Sequence, residues 1–319
     1  MARVIVARLA QSVVLLLLVS VATFALVRLA PGDPGTLLYG PSASAAELSQ
    51  LRERWGLDEP LHLQYFRWLS NAVSGDLGRS YTDGRPVLAV IEDRIPATLA
   101  LAVAALTLAS VVGIYVGFVT ANPASPWVDR PLRVLTVVLY SIPPFWLGIV
   151  LILVFSVSLR WLPPGGLQNS ARDAGIGDLL AHLALPVLAL SVREAARFAR
   201  VTRASVIAVE TQDFVRTAAA KGLGRGLIER RHILRNAMLP VTALYGLAIP
   251  GLLSGTVVVE TVFSWPGMGR LAIESALQRN YPVIMGEVLI VASLAIAGSL
   301  LADIACTAAD PRIRDPFRR

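Results

Sequence analysis

The sequence predicts an all-α membrane protein with six transmembrane helices and both termini in the cytoplasm. Hydrophobic residues make up 55% of the 319 residues and charged residues only 16%, whereas soluble domains average about 25% charged residues. The apolar residues form blocks long enough to cross a bilayer. Between these blocks, 18 of the 29 Lys and Arg residues fall in segments that the six-helix arrangement assigns to the cytoplasmic side, as the positive-inside rule requires.

The first predicted span covers residues 9–29 and follows Arg3 and Arg8. A cleaved signal peptide also begins with basic residues, but its apolar run is usually about 7–15 residues long and ends at a small-x-small site. Here the uncharged run from Leu9 to Val27 is longer, and Arg28 follows it instead of such a site. We therefore expect a transmembrane helix whose N-terminus is cytoplasmic.

The segment 31–95 differs from its surroundings, because it holds nine acidic and six basic residues. Amphipathic patterns predict two short helices, Ala45–Trp55 and Leu61–Val73. Glycine, proline and aspartate predict turns at 75–78 and 82–86. The segment is too small and too polar to hold a large core of its own. We expect it to form an external cap packed against the membrane helices.

The remaining five spans are predicted over residues 96–120, 134–159, 178–200, 236–259 and 282–306. The third span contains the pair Pro143 and Pro144, which must kink or break a helix. The fourth is short by hydropathy, and its helix is expected to continue past Arg193 into the cytoplasm. The fifth contains Pro240 and Pro250 as expected kinks. Together the spans form a single predicted domain over residues 1–319.

The stretch 193–240 is strongly basic, with ten Lys and Arg residues against four Asp and Glu. Within its central part, 213–224, Asp213 is the expected N-cap of a helix of about two turns. Gly222 is the expected C′ residue that ends this helix. A short capped helix of this kind suits docking into the groove of a partner protein. The alternative is a basic loop that binds anionic lipid.

The chain shows no motif for catalysis or for a cofactor. Its one lysine, Lys221, is followed by Gly222, so a Gly-x-x-x-x-Gly-Lys-Ser/Thr phosphate loop is absent from the sequence. No two of its three histidines have metal-ligand spacing. The single cysteine, Cys306, excludes a disulfide within the chain. The net charge of +7 does not indicate nucleic-acid binding, because the surplus lies on one side of the membrane. We expect no catalytic residue, metal site or nucleic-acid partner.

A transporter that works alone would need an ionisable relay near the middle of the membrane or an evident internal repeat. The acidic candidates in the spans are Glu287 and Asp303. They are 16 residues apart, roughly 24 Å along a helix, and cannot act as a pair. We interpret them as residues at the membrane interface near the helix ends. A stand-alone secondary transporter is therefore the less favoured alternative.

Eight short sequence motifs occur in a fixed order along nearly the whole chain. They are Pro31-Gly-Asp-Pro34, Trp55-Gly-Leu-Asp-Glu-Pro60, Gly75-Asp-Leu-Gly-Arg-Ser80, Arg94-Ile-Pro-Ala-Thr98, Arg216-Thr-Ala-Ala-Ala-Lys-Gly-Leu223, Leu234-Arg-Asn-Ala-Met-Leu-Pro240, Val259-Glu-Thr-Val-Phe-Ser-Trp-Pro-Gly-Met-Gly269 and Asp310-Pro-Arg-Ile-Arg314. In this order they resemble the inner-membrane permease subunits of ATP-binding-cassette importers of the dipeptide, oligopeptide and nickel group. The long polar segment after the first span is similar to that of the first permease of the pair.

The resemblance implies that the short basic helix is a coupling helix, which docks into a groove on an ATPase subunit. The implied docking residues are Asp213, Phe214, Arg216, Thr217, Ala218, Ala219, Lys221, Gly222, Leu223 and Gly224. The Glu-Ala-Ala opening found in many importers is replaced here by Arg216-Thr-Ala218. Ala218 and Gly222 are expected to present a small face to the partner.

The resemblance also implies partners and a location. The partners are a second homologous permease, two ATPase subunits (separate or fused), an external substrate-binding (lipo)protein and membrane lipid. ATP and Mg²⁺ are expected at the ATPases only, and the location is the bacterial inner membrane. Peptides are the expected substrates; nickel chelates, glutathione and oligosaccharides are alternatives, because similar permeases serve them.

A translocation path is predicted along the third and fifth spans. The residues proposed to line it are Ser141, Pro143, Pro144, Phe145, Pro250, Ser254 and Gly255. Prolines free backbone carbonyls, and small residues open space for a solute. Helix packing is an equally good explanation of the same residues.

Overall fold

A computed structural model describes residues 2–30, 32, 35, 44–121, 126–167 and 175–309 of the chain. Its helices are α1 (Ala2–Leu29), α2 (Ala45–Arg54), α3 (Leu61–Val73), α4 (Val87–Glu92), α5 (Ile95–Ala121), α6 (Pro126–Ser141), α7 (Pro144–Leu151), α8 (Ile176–Glu210), α9 (Asp213–Ala220), α10 (Arg225–Ile228), α11 (Arg235–Val262), α12 (Met268–Leu277) and α13 (Tyr281–Ala309). Two π-helical stretches, Ile152–Ser158 and Glu229–Leu234, extend α7 and precede α11. Across these described ranges the chain contains no β-strand, and the predicted all-α class is confirmed.

Among the described residues, five helical stretches are long and apolar enough to cross a membrane: Ala10–Leu29, Val87–Ala121, Ile176–Glu210, Arg225–Leu252 and Tyr281–Leu301. A sixth span results if Arg130–Ser141 and Pro144–Ser158, which meet at a bend of 102°, are counted together. Pro143 is extended, with φ −64° and ψ 135°, and Pro144 begins α7. The break has a simple cause, since proline lacks the backbone N–H and its ring excludes the preceding helical turn.

The chain divides into two compact units. The first comprises residues 1–98 and 266–296, and the second comprises 99–265 and 297–319. Residues 266–280, which separate the fifth and sixth predicted spans, thus belong to the same unit as the predicted cap. In that unit Val87 and Ile91 of α4 pack with Leu77, Met268 and Val283.

The two helices predicted within the cap are confirmed as α2 and α3. Helix α2 begins with a capping box, in which the Ser44 side chain accepts from the Glu47 backbone N–H while the Glu47 carboxylate accepts from the Ser44 backbone N–H. The predicted turns are also present, and Gly75, Gly78 and Gly84 have φ values of 87°, 86° and 69°. Glycine adopts these left-handed conformations without the steric cost of a Cβ atom.

The core of the second unit is built around α8. Helices α6, α7 and α11 contact α8, and α7 also contacts α11. The best-buried side chains of one cluster here are Phe198, Ala109 and Val241. Helix α8 continues to Glu210, ten residues beyond the predicted end of its span. Helix α11 runs unbroken through Pro240 and Pro250.

Candidate functional site

The predicted coupling segment forms the short helix α9. Its N-cap is Gln212, which is extended at φ −75° and ψ 148°, so the expectation that Asp213 caps the helix is wrong by one residue. The Asp213 carboxylate nevertheless lies in the first turn, where the helix dipole favours negative charge. The helix has the predicted length of about two turns and begins one residue earlier than expected.

The C-terminus of α9 has the predicted glycine stop. Gly222 has φ +77°. Its N–H donates to the Ala219 carbonyl at 2.9 Å, and the Leu223 N–H donates to the Ala218 carbonyl at 3.3 Å. This pair of bonds defines a Schellman motif, with Gly222 at the C′ position. The turn redirects the chain into α10, which begins three residues later at Arg225.

One face of α9 is packed against the chain itself. Val215 and Ala218 are buried, and Ala218 is only 5% exposed. They join a cluster whose other members are Ala121, Val206, Ile228, Ile233 and Ala237. The expectation that Ala218 presents a small face to a partner is therefore wrong, because a helix packed on its own protein turns its small apolar face inward.

The opposite face of α9 is open. We define the outer face as Phe214, Arg216, Thr217, Lys221 and Leu223, all of which are exposed. Phe214 is a large apolar side chain with 42% exposure. Its neighbours Asp213 and Ala219 and the glycines 222 and 224 are exposed as well. The outer face thus combines an aromatic side chain with two positive charges, a composition that suits contact with another protein.

Charges on the outer face are bound only weakly within the chain. The Arg216 guanidinium lies 3.6 Å from the Asp213 carboxylate, and both side chains are largely exposed. Such surface pairs contribute about 0–1 kcal/mol. Arginines on α8 differ, because Arg193 and Arg200 lie over the Tyr140 ring at 5.4 and 4.0 Å from its centroid. Those two arginines contribute to packing within the second unit.

Among the residues predicted to line a path, Phe145 lies on α7 and Pro250 on α11, and these two helices contact each other. Ser141 ends α6 and donates to the Val137 carbonyl at 3.0 Å. Pro143 and Pro144 form the bend, and Phe145 is 45% exposed on α7. Pro250 lies in α11, and so do Ser254 and Gly255, although the side chains at 253–255 are outside the described residues. A conduit lined by these residues stays a prediction.

Two structural features of the chain were not predicted from the sequence. The first is a stripe of small residues on α5, at every fourth position: Ala105, Ala109, Gly113, Gly117 and Ala121. A Cβ atom at Gly113 would lie 2.5 Å from the Ala195 carbonyl oxygen, and one at Gly117 would lie 2.5 Å from that of Ala199. Backbone therefore packs directly on backbone between α5 and α8. The four-residue spacing was visible in the sequence.

The second feature is the burial of Glu287, a residue that was expected at the membrane interface. Its side chain is only 2% exposed, on α13. Burial within the protein does not fix its depth in the bilayer, so the interface interpretation stays a prediction. The Asp303 side chain lies outside the described residues. Throughout the described residues, no group of three or more His, Cys, Asp or Glu side chains is arranged to hold a metal ion.

Comparisons with known proteins agree on one family. Residues 110–315 match the family model described as "Binding-protein-dependent transport system inner membrane component". Residues 1–102 match the model for the N-terminal part of such membrane components. These two matches leave only a few residues between them.

Curated relatives match over nearly their full length. The oligopeptide transport system permease protein AppB of Bacillus subtilis (strain 168) is 40% identical, over 98% of this chain and 99% of the relative. The glutathione transport system permease protein GsiC of Escherichia coli (strain K12) is also 40% identical, over 97% and 98%.

A solved structure shares the fold. In an inward-facing structure of the MetNI methionine ABC transporter, one chain superposes with a TM-score of 0.57 at 16% identity. The match covers 69% of this chain and 96% of that one.

Proposed function

Because the chain belongs to the family of binding-protein-dependent transport system inner membrane components, we propose that it is the permease subunit of an ATP-driven peptide importer and that α9 couples it to the ATPase. The chain is a multi-pass inner-membrane protein. In this family the permease and the ATPase are separate subunits, so this chain forms part of the transport path while its partner hydrolyses ATP.

The observation that supports coupling best is that α9 has one face buried against its own chain and the opposite face exposed. Val215 and Ala218 fix the helix to the core of the second unit, and the outer face is left exposed. When a partner displaces a helix held in this way, the displacement reaches α5, α8 and α11. The contacts that carry it are Ala121, Val206 and Ala237, respectively. Because the cluster is close-packed, a displacement of α9 shifts its neighbours rather than being absorbed locally.

The proposed orientation follows the distribution of basic residues. The stretch 193–240 and both termini face the cytoplasm, and the cap faces outward. A binding protein then delivers substrate on the cap side, while the ATPases engage the outer face of α9. ATP and Mg²⁺ bind to the ATPases, of which there are two, separate or fused. A second permease completes the path.

Peptides are the proposed substrates. A 40%-identical relative belongs to an oligopeptide system, and glutathione, named for the other, is itself a peptide. The proposed cycle is alternating access, in which closure of the ATPases on ATP shifts the permeases from inward-open to outward-open. The outer face of α9 must interact differently with the open and closed ATPases, since only a difference in affinity shifts the equilibrium.

Transport in reconstituted vesicles tests this proposal. Vesicles containing the complete importer are given ATP and labelled dipeptides, oligopeptides, glutathione, a nickel chelate or an oligosaccharide. We expect ATP-dependent uptake of peptides and no competition by the chelate or the oligosaccharide. Uptake without ATP or ATPases would contradict the importer and favour a stand-alone transporter.

Coupling is tested with Phe214→Asp. We expect the variant to insert normally but to lose at least tenfold in retention of the ATPases during purification, because a charge replaces the apolar centre of the outer face. Val73→Asp is the matched control, since Val73 is an exposed apolar residue of α3. Full assembly and coupled transport in Phe214→Asp would refute docking through α9.

Orientation is tested by cysteine labelling in intact cells on a Cys306→Ala background. A cysteine at the exposed position Asp83 should react with an impermeant reagent, and one at Lys221 should react only after the membrane is disrupted. The reverse pattern would overturn the proposed orientation.

A further inference from the structure

The first unit contains a polar cavity that the transport cycle described above does not use. Its volume is about 580 Å³, within the range of about 300–1,000 Å³ typical of small-molecule sites. The end of α1, the chain from Arg54 through α3, the turns at 77–84 and the first residues of α13 line it. By the orientation proposed above, this cavity lies on the external side.

The cavity wall carries a surplus of positive charge. Arg28, Arg54, Arg67 and Arg79 line it, and among the lining residues that the structure describes Glu59 is the one carboxylate. Glu59 is already bound by Arg67, at 2.7 Å between Oε1 and Nη1. Within the described ranges, neither Arg28 nor Arg54 forms an ion pair with a carboxylate. The field in the cavity therefore favours an anionic group.

Arg28 is held by aromatic rings. Its guanidinium carbon lies 5.3 Å from the centroid of Tyr281 and 5.5 Å from that of Phe24. Tyr81 stacks on Trp55 with centroids 4.0 Å apart. Burial raises the pKa of the Tyr81 phenol to about 12, against the opposing effect of the Arg28 charge. The phenol thus keeps its proton at physiological pH and remains a hydrogen-bond donor.

Among the described residues, four polar atoms of the lining side chains have no hydrogen-bond partner and are shielded from solvent. Two are donors, Arg28 Nε and Trp68 Nε1, and two are acceptors, Glu59 Oε2 and Gln64 Oε1. Gln64 is 8% exposed, and its Nε2 is already committed to the carbonyls of Leu57 and Glu59. Buried groups without partners are costly and rare in folded proteins. Small side-chain rotations toward the cavity would let a bound molecule satisfy them.

We propose that this cavity binds the C-terminal end of a short peptide, with the peptide carboxylate at Arg28 and Arg54. The peptide N–H groups meet Gln64 and Glu59, and its side chains rest on the walls formed by Trp55 and Tyr81. A simple anion such as phosphate would satisfy only the donors, whereas a peptide end has both donors and acceptors. The choice of a peptide as the ligand rests on the proposed transport function. The surplus of positive charge and the presence of both donors and acceptors in the wall are observations that do not depend on it.

Binding to the full-length chain in lipid nanodiscs, with no binding protein and no ATP, tests the inference. Isothermal titration compares glycyl-leucine with glycyl-leucinamide, which lacks the carboxylate. We expect saturable binding of glycyl-leucine and at least tenfold weaker binding of the amide. This comparison uses the unaltered chain, so it holds even if a variant fails to fold. Equal affinity for the two compounds, or no saturable binding of glycyl-leucine, would overturn the assignment.

Variants locate the site. Arg54→Gln should weaken glycyl-leucine binding about tenfold, and Arg28→Lys should retain more affinity than Arg28→Gln. Arg85→Gln is the matched control, because Arg85 lies in the same segment, is exposed with Asp93 at 2.7 Å, and does not line the cavity. An effect of Arg85→Gln equal to that of Arg54→Gln would refute the location.

The titration and the transport assay can fail independently. If peptides are taken up but do not bind in this cavity, the binding site is refuted and the proposed transport function stands. Binding here without peptide uptake overturns the proposed transport function and leaves the site intact.

Discussion

The segment between α1 and α5 and the segment between α8 and α11 both connect long apolar helices, yet they are stabilised in opposite ways. In the first, polar groups are bound in the interior by Asn280, which lies between α12 and α13. The buried Asn280 amide donates to Ser80 Oγ at 2.9 Å and to Thr82 Oγ1 at 3.0 Å, and its Oδ1 accepts from the Tyr81 N–H at 3.0 Å. In the second, the interior is apolar and the polar side chains are on the surface.

The difference relates structure to the kind of partner each segment can bind. An interior with fixed polar groups can surround a small polar molecule and orient it. An apolar anchor with exposed charges and an exposed aromatic ring is suited to a large partner that closes over it. Four substitutions, ordered from the largest expected effect to the smallest, probe this contrast.

Ala218→Asp should have the largest effect, because it places a carboxylate in the apolar cluster beneath α9. A buried charge without a partner costs about 3–5 kcal/mol. The purified chain alone should show faster hydrogen exchange across 213–237, before any ATPase is added. Ala219→Asp, on the exposed neighbour, should leave exchange unchanged. Equal exchange in the two variants would mean that the cluster does not anchor α9.

Asn280→Ala should come next, at about 2–4 kcal/mol, since it removes three hydrogen bonds and leaves the buried partners unsatisfied. The thermal midpoint in detergent should fall, and proteolysis should cut first within 77–86. Gln278→Ala, at an exposed position two residues earlier, is the control. If both variants had the same thermal midpoint as the parent chain, the polar network would not stabilise the cap.

Gly222→Ala should cost about 1 kcal/mol, because a Cβ atom disfavours the left-handed backbone at φ +77°. The effect is conformational, because within the described residues no atom beyond Gly222 and its two chain neighbours lies within 4 Å of the added Cβ position. Gly224→Ala provides the comparison at φ −62°, and should be nearly neutral. Local exchange of the Leu223 amide measures the difference; identical protection in the two variants would argue against a conformational requirement at 222.

Arg216→Gln should have the smallest effect on folding, below about 1 kcal/mol, because its ion pair with Asp213 is exposed. ATPase retention should instead become less sensitive to salt, since one charge of the outer face is lost. Retention measured at two ionic strengths tests this. A large change in the melting temperature would show that Arg216 supports the fold.

Local chemistry explains which features could be predicted. The periodicity of α2 and α3, the proline break before α7 and the glycine that ends α9 depend on neighbouring residues, and the sequence shows them directly. Asp213 was misplaced by one residue because Gln212 takes the extended N-cap conformation without a side-chain bond.

The wrong or missing predictions concern which side of a helix is buried and which residues far apart in the sequence are in contact. Ala218 was assigned to the wrong side because in a two-turn helix both Val215/Ala218 and Phe214/Thr217 form a plausible apolar face. The Asn280 network joins residues about 200 positions apart, and no local pattern indicates such a pairing. The stripe on α5 was overlooked because that helix is apolar on all sides, so its buried face has no contrast in hydropathy.

The backbone contact between α5 and α8 has a mechanical consequence. At Gly113 and Gly117 the two helices touch without intervening side chains that could reorient, so one cannot slide past the other without steric overlap. We therefore expect the two helices to move as one rigid unit. Helix α9 packs against both of them through Ala121 and Val206. If α9 docks on an ATPase as proposed, a displacement of α9 will move α5 and α8 together, with little of it lost in side-chain rearrangements between them.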